Sequence, residues 1–534
     1  VKNVTILHPS GRPAREVIGF EGAGAGFGGQ MANWAPQLMT NDAALLPNLD
    51  LTQARTDDLV RNNGYAAGGL RLHLDNIVGH LFKLNWKPMW KRLGWKEEDY
   101  RKIKTDVEQA WLEFAEDDRC FIDAERKRTF TMLVRAACAQ HFTYGDSMAA
   151  AEWISRRHSD FNTAIKMISP KRVRNPDGNN FLNEKIRGGI KHGRHGNAQG
   201  YYVSDHKYLL PLANIKQNFR YVPRETWWGR PKFIHVFDAQ DDGQSRGHSS
   251  LMAVMQQMHM LDKLQQTKLQ NAIVNAMYAA TIESELDSQS AFDFIAGGED
   301  SQDKLWQWMA AVNKYHAGAN IRLDGVKIPH LMSGEKLNLQ RPSNADNGFN
   351  QLEDSFLQYM SAGTGLPKEL FTYNFQKSNY SSARASLNEG WRYFMGKRKV
   401  IASRFATTIF ALWLEEAVSK GVIKLPSGTN FWEARSALCR ADWIGSGRMS
   451  IDGVKEIKEA ILKIESGLST YEIELAKMGE DYIEIFEQQH REMIIRKEKG
   501  LPPPSWMNAE AFAPEQPEQE QNGGNNATTT PESV

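Results

Sequence analysis

The pentapeptide "GQSRG", residues 243–247, has the spacing of a serine nucleophile elbow, with Ser245 as the attacking hydroxyl. It lies between a strand-like run, Phe233 to Phe237, and a helical run that starts at Ser249. In an elbow the strand runs almost directly into the first glycine, which holds the serine on a sharp turn. Here "DAQDD" intervenes, and Asp241 and Asp242 would oppose a developing oxyanion. A second cluster, "GAGFGG" at residues 24–29, matches the dinucleotide glycine pattern, but no helix opens behind it and Pro36 interrupts; a flexible arm is expected instead. His192 and His195 sit in a glycine-rich loop with no acidic or third ligand nearby, which argues against a metal. "FDAQDDGQSRGHS" lacks the closing Glu of an EF-hand loop. Asp57-Asp58 and Asp117-Asp118 read as solvated helix-end carboxylates. The basic triplets at 126–128 and 397–399 read, taken alone, as solvated faces. The three cysteines, Cys120, Cys138 and Cys439, contain no C-x-x-C and are expected as reduced thiols. No cofactor or metal is expected.

These residues need elements to position them. Residues 1–50 are punctuated by Gly and Pro and read as an extended or mobile arm. Helical periodicity runs from Ala54 to Ile77, again from Lys104 to Glu116 through Val107, Trp111 and Phe114, and from Phe130 to Tyr144. Ile165 to Val173, Gly200 to Val203 and Phe233 to Phe237 are short β-like runs among Gly, Asn and Pro. The first half is thus mixed helix and sheet. Residues 249–280 contain no Gly or Pro and predict a helix roughly 48 Å long. Leu251, Val254, Met258, Leu261 and Leu264 share one face, five Gln and five Met fill much of the rest, and only Asp262, Lys263 and Lys268 are charged. A free surface helix normally carries more charge, so packing on several sides is expected. A compact α/β module follows, with β-like runs at 320–323 and 326–331 about the turn Asp324-Gly325. A helix at about 350–362, a loop at 363–380 and a long helix ending at Gly421 come next, and then a charged helical region at 450–499.

At 534 residues the chain exceeds one ordinary core, so two or more domains are expected. It is 41% apolar and 24% charged with net charge +1, which gives no global signal for a nucleic-acid or membrane partner. No window is long and apolar enough for a membrane span, and the first residues lack a signal peptide's apolar run. Residues 501–534 hold five Glu, six Pro and no Lys or Arg, and read as a disordered acidic tail.

Seven long stretches carry a resemblance. "DLVRNNGYAAGGLRLHLDNIVGHLFKL" (58–84), "FAEDDRCFIDAERKRTFTMLVR" (114–135), "MISPKRVRNP" (167–176) and "FIHVFDAQDDGQSRGHSSLMAVMQQMHMLD" (233–262) resemble tailed-phage portal proteins of the lambda type. So do "MYAATIESELDSQSAFDFI" (277–295), "YSSARASLNEGWRYFMGKRK" (380–399) and "DWIGSGRMSIDGVKE" (442–456). The resemblance runs from about Ala43 to Pro504. It implies an α+β, mainly α-helical portal fold, assembled as a ring of about twelve copies around a central channel. Its parts would be a wing at 51–248, a first stem helix at 249–278, a clip at 279–347 and a second stem helix at 348–365. A tunnel loop at 366–381, a long kinked wing helix at 382–420 and a small crown-like C-terminal region at 421–500 would follow. The implied partners are double-stranded DNA in the channel, the terminase large subunit, the major capsid protein and scaffold, and a head-completion or tail connector protein. On this resemblance "GQSRG" is the family's turn into the first stem helix.

The residues fit that expectation. A channel must pass DNA without gripping it, and each phosphate neutralised by Lys or Arg adds salt-sensitive affinity that many copies would multiply. After Lys368 and Glu369 the loop has only Lys377 as a charge. Asn374, Gln376, Lys377, Ser378, Asn379, Tyr380 and Ser381 are the candidate channel-loop residues, and Lys263, Gln266, Lys268 and Gln270 the polar candidates on the stem. Gly390 and Gly396 are where the long helix is expected to bend. The cluster Lys397, Arg398, Lys399 is expected to pair with acidic side chains of a neighbouring subunit. Two readings of different class therefore stand: a non-enzymatic DNA conduit, and a serine hydrolase using Ser245.

Overall fold

The computed structural model describes residues 36–178, 185–205, 218–278, 310, 314, 321–323, 326–328, 345–376, 380–426, 428–448, 453–504 and 507. Two compact units divide the chain at Ile451 and Asp452.

The first unit opens on α1 (Asn41–Leu45), a 3-10 turn at Leu46–Asn48 and α2 (Leu49–Asn62). Residues 41–50 are thus helical rather than arm, because Leu45, Leu46 and Leu49 form a small buried cluster. The single helix expected from Ala54 to Ile77 is two, α2 and α3 (Gly64–Ile77). Asn63 takes an extended backbone between them, and its side chain caps α3 by accepting from the Ala66 N–H at 2.9 Å. Asp57 is not a solvated helix-end residue: its carboxylate accepts the Tyr144 hydroxyl at 2.5 Å and pairs with Lys171.

After β1 (Lys83–Trp86), α4 (Glu97–Ala115) starts on three acids, Glu97, Glu98 and Asp99, which favour a helix N-terminus. It buries Ile103, Val107, Trp111 and Phe114 at helical spacing. α5 (Phe130–Tyr144) has the bounds that the sequence period predicts and stops at Gly145, in the left-handed region at φ 85°. Trp111 lies at the centre of the core, with ring centroids 4.8 Å from Phe130, 5.2 Å from Trp413 and 5.5 Å from Phe410.

Two small antiparallel sheets follow. β2 (Asp146–Trp153) is central in the order β3-β2-β8, between β3 (Thr163–Met167) and β8 (Phe233–Phe237). The second has the order β4-β5-β6-β7, from β4 (Ile186–Arg187), β5 (Ile190–His192), β6 (Ala198–Ser204) and β7 (Phe219–Pro223). Residues 252–254 form a 3-10 turn that leads into α6 (Met255–Tyr278). A hairpin of β9 (Ile321–Leu323) and β10 (Val326–Ile328) pairs Val326 with Leu323 across Asp324-Gly325. Between α6 and this hairpin only residues 310 and 314 are described, both helical.

The chain then gives α7 (Ala345–Thr364), a short α8 (Lys368–Thr372) and α9 (Tyr380–Lys397). A π-helical turn at Arg398–Ala402 joins α9 to α10 (Ser403–Ser419). α10 buries ten of its 17 residues, all between Phe405 and Ala417. Its Glu416 accepts from the Asn162 and Thr163 N–H groups at 2.6 and 2.9 Å, where β3 begins. Last come α11 (Phe431–Leu438) and β11 (Ala441–Ile444), which pairs with β1. The fold is mainly helical α+β with small antiparallel sheets.

The second unit holds α12 (Gly453–Glu465), α13 (Tyr471–Met478) and α14 (Tyr482–Glu498). Thr470 and Asp481 cap the last two, and Gly479 ends α13 in the left-handed region at φ 88°.

Candidate functional site

The turn that carries "GQSRG" joins β8 of the three-stranded sheet to the 3-10 turn that opens α6. Ser245 is 2% exposed. Its N–H donates to Asp42 Oδ1 at 2.8 Å and its hydroxyl donates to Asp42 Oδ2 at 2.6 Å. His192 Nε2 lies 3.1 Å from the same hydroxyl oxygen, and burial lowers its pKa. A hydrolytic triad needs the acid to orient the histidine and the histidine to take the serine proton. Here the acid holds the serine directly, the proton is committed to Asp42, and no face of Ser245 is open to a substrate. The hydrolase reading falls on this geometry. No acidic residue is adjacent to His192 in the chain; folding brings Asp42 there from 150 positions away.

Next to it is a residue with no chemistry to announce in the sequence. Arg246 is fully buried, and its Nε donates to Asp146 Oδ2 at 2.6 Å. Its other nitrogens donate to the carbonyls of Val173, Gly188 and Pro170 at 3.0, 2.8 and 3.1 Å. Asp146, the first residue of β2, also faces His235 Nε2 at 3.0 Å and accepts the Gly247 N–H at 2.8 Å. Burial alone would raise the Asp146 pKa; the Arg246 charge, the His235 hydrogen bond and the Gly247 N–H outweigh it and bring it down to about 2. One buried ion pair thus ties both sheets to the turn that leads into α6. The backbones meet there as well, since a Cβ on Gly247 would lie 2.1 Å from the Gly145 carbonyl oxygen.

The helices expected to form the stem are α6 and α7. Leu251, Val254, Met258 and Leu261 are fully buried, and Leu264 packs half-buried beside them, so the apolar face is the one the sequence period selects. Asn63 Nδ2 donates to Asp262 Oδ1 at 2.8 Å, which locks the break between α2 and α3 onto α6. Gln265 donates to Glu353 at 2.7 Å, and Lys268 Nζ sits 3.6 Å above the Phe349 ring. Of the polar stem candidates, Lys263, Gln266 and Gln270 are exposed, whereas Lys268 is engaged on α7.

The segment expected as a tunnel loop is only partly a loop. Leu366, Leu370 and Phe371 are buried, Phe371 stacks on Tyr65 at 5.6 Å, and Lys368 pairs with Asp354 at 2.8 Å. Apolar anchoring therefore turns residues 368–372 into α8. Beyond it Tyr373 adopts φ 52°, and Tyr373, Asn374, Phe375 and Gln376 form an exposed stretch with no charge. Lys377, Ser378 and Asn379 lie outside the described residues. Tyr380 and Ser381 are not loop but the first residues of α9.

The expected bends at Gly390 and Gly396 are not where the long helix changes. α9 is regular through both, and the irregularity is the π-turn at 398–402. Gly390 serves contact instead: a Cβ there would meet Pro367 Cγ at 2.6 Å, while Gly396 faces open space. The basic cluster is also internal. Lys397 pairs with Asp238 at 3.1 Å. Arg398 is buried and donates to the carbonyls of Ile77, Asn76 and Ser446 at 2.7, 2.8 and 2.8 Å, which satisfies the C-terminal end of α3. Burial lowers its pKa to about 10. Only Lys399 is exposed.

Among the described residues no helix is long and apolar enough to cross a membrane, and no group of His, Cys, Asp and Glu could hold a metal ion. Among solved structures, a chain in the virion of a native gene transfer agent particle is similar at 11% identity and a TM-score of 0.36, over 89% of this chain and 98% of that one. Residues 27–398 match the family described as phage portal protein, lambda family. Portal protein B of Escherichia phage lambda is 50% identical over 510 residues, 95% of each chain. The portal protein of Escherichia phage N15 is 51% identical over 531 residues, 98% of this chain and 99% of that protein. With that much of its length matched at that identity, the chain belongs to the lambda family of phage portal proteins.

Proposed function

We propose that about twelve copies of this chain close into a ring whose channel passes double-stranded DNA during packaging and ejection. A portal protein is a structural component of the phage virion and not an enzyme. In the proposed ring, residues 51–248 with the helix after 382 form the wing, α6 and α7 the stem, 279–347 the clip and 421–500 the crown-like region. Terminase large subunit and the head-completion or tail connector protein dock on the clip, and capsid protein and scaffold surround the wing.

The observation that carries the channel reading is the stretch Tyr373–Gln376. It is exposed and uncharged, and Leu370 and Phe371 anchor it in the core immediately before. A seated, neutral projection suits contact with a moving polyanion, because weak polar contacts release easily while cationic ones add affinity with every copy. The exposed, sparsely charged sides of α6 suit a stem that neighbouring copies flank. Asn374→Arg with Gln376→Arg is expected to slow DNA packaging in a salt-dependent way, with recovery as salt rises. Packaging unchanged at low salt would remove these residues from the channel.

A further inference from the structure

The turn between β7 and β8, "RETWWGRP" at residues 224–231, holds its largest apolar side chains out in solvent. Trp227 is 93% exposed and Trp228 47%, with their ring centroids 5.3 Å apart. The turn is closed by its own hydrogen bonds. The Thr226 N–H donates to the Arg230 carbonyl at 2.8 Å, and the Thr226 hydroxyl and carbonyl accept the N–H groups of Arg230 and Gly229 at 2.9 and 3.1 Å. Gly229 supplies the left-handed position at φ 91°. Arg230 then pins the turn to the first unit: it pairs with Glu415 at 2.9 Å, donates to the Thr163 hydroxyl at 3.0 Å and lies over the Trp153 ring. An indole held out on a closed turn has little backbone freedom left to lose, so its burial against a partner is favoured.

A space that fits it lies at the other end of the same strands, a cavity of about 430 Å³. β2 and β8 run antiparallel, with Ala150 opposite Phe233 and Asp146 opposite Phe237. The tryptophan turn precedes Phe233, whereas Gly145 and Asp238, just beyond the Asp146–Phe237 pair, line the cavity. The two features are thus roughly 20 Å apart along the strands, and the closed turn cannot bring Trp227 back to the cavity of its own copy. Met252, Ala253 and Ala362 give the cavity apolar surface, and at ~30 Å³ per water it has room for about fourteen waters, ample for one indole. Charge agrees with size. Three exposed cations, Arg220, Arg224 and Lys232, flank the tryptophans against one exposed acid, Glu225. At the cavity the balance reverses, with Asp238 and the exposed Asp241 and Asp242 against Lys397.

We propose that Trp227 of one copy inserts into this cavity of the next copy, so that the two ends of the β2–β8 pair make a head-to-tail contact. The assignment rests on the ring proposed above, which needs different surfaces meeting at each interface. The indole buries against Met252, Ala253 and Ala362, its N–H reaches the acceptor capacity that Asp238 keeps beside its pair with Lys397, and the cations of the turn face Asp241 and Asp242.

The test uses the full-length chain with a photoreactive benzoylphenylalanine in place of Trp227, and light and heavy isotope-labelled copies are mixed before assembly. Irradiation and mass spectrometry are expected to find cross-links between light and heavy copies at residues 247–253, 362–365 or 393–397. Ala253→Trp, which fills the cavity from its exposed rim, is expected to lower that yield about tenfold or more. Arg224→Glu with Lys232→Glu should lower it too, and Asp241→Lys with Asp242→Lys added to the same chain should restore it. Rings whose cross-links fall elsewhere, stay within one copy or ignore these changes overturn the contact and leave the ring standing. Chains that never exceed a dimer overturn the ring and the contact together.

Discussion

Asp146→Asn removes the charge that Arg246 was buried to meet, and keeps the shape. Both side chains are wholly inaccessible, 2.6 Å apart, and Arg246 spends its other donors on three carbonyls. It therefore has no exposed position to retreat to. Breaking a buried pair on one side costs about 3–5 kcal/mol, because the remaining charge stays desolvated. Linkage gives a similar size: a carboxyl brought from its ordinary value near 4 to about 2 contributes roughly 2–3 kcal/mol above pH 4. The sign is fixed by the direction of the shift. A depressed carboxylate pKa means that the contribution is fully present above the unfolded value and is lost as pH falls through about 2. Urea unfolding followed by tryptophan fluorescence is the assay, since Trp111 and Trp413 lie in the core of the same unit. The wild type is expected to exceed Asp146→Asn by about 3 kcal/mol or more at pH 7, with the gap narrowing by about 1 kcal/mol at pH 3. Adding Arg246→Met should recover part of the loss, since it removes the stranded charge. A loss under about 1 kcal/mol, or a double variant no better than the single one at pH 7, would show that the Arg246 charge is not stranded by the substitution.

Two glycines of α9 should respond in opposite directions. Gly390→Ala drives a methyl into Pro367 and is expected to cost about 1–3 kcal/mol in the same assay. Gly396→Ala meets open space in a helix interior and is expected to gain up to about 1 kcal/mol. If either glycine is instead a hinge, Gly396→Ala should impair assembly without any gain in stability. Within the basic cluster, Arg398→Met strands three carbonyls and should cost about 2–4 kcal/mol, while Lys399→Ala should stay within about 0.5 kcal/mol.

The parts of this fold that rest on local period were legible. The Phe130 to Tyr144 helix ends where Gly145 can turn left-handed, and the buried face that Leu251, Val254, Met258 and Leu261 mark runs from the 3-10 turn into α6, which starts at Met255 rather than Ser249. The pairing of β9 with β10 was announced by Asp324-Gly325 between them. What failed was settled by distant contacts. β2 contains three consecutive alanines, poor strand formers, and is a strand because β3 and β8 flank it on both edges. Arg246 reads as one more polar residue in a turn, and its partner lies 100 positions away. Arg398 looked like part of a solvated basic run, because nothing nearby says that the end of α3 will need a cation. Gly390 looked like a hinge for the same reason, since its contact with Pro367 exists only after α8 folds back. Long family motifs identified the chain where local chemistry could not, and without them "GQSRG" would have kept its false promise until the serine was seen bonded to Asp42.

The measurement closest to the central claim is the mass and shape of the purified assembly. Native mass spectrometry, with cryo-electron microscopy of the same sample, should find a closed ring of about a dozen 60.5 kDa chains around an open channel. A particle no larger than a dimer under every assembly condition would contradict the account.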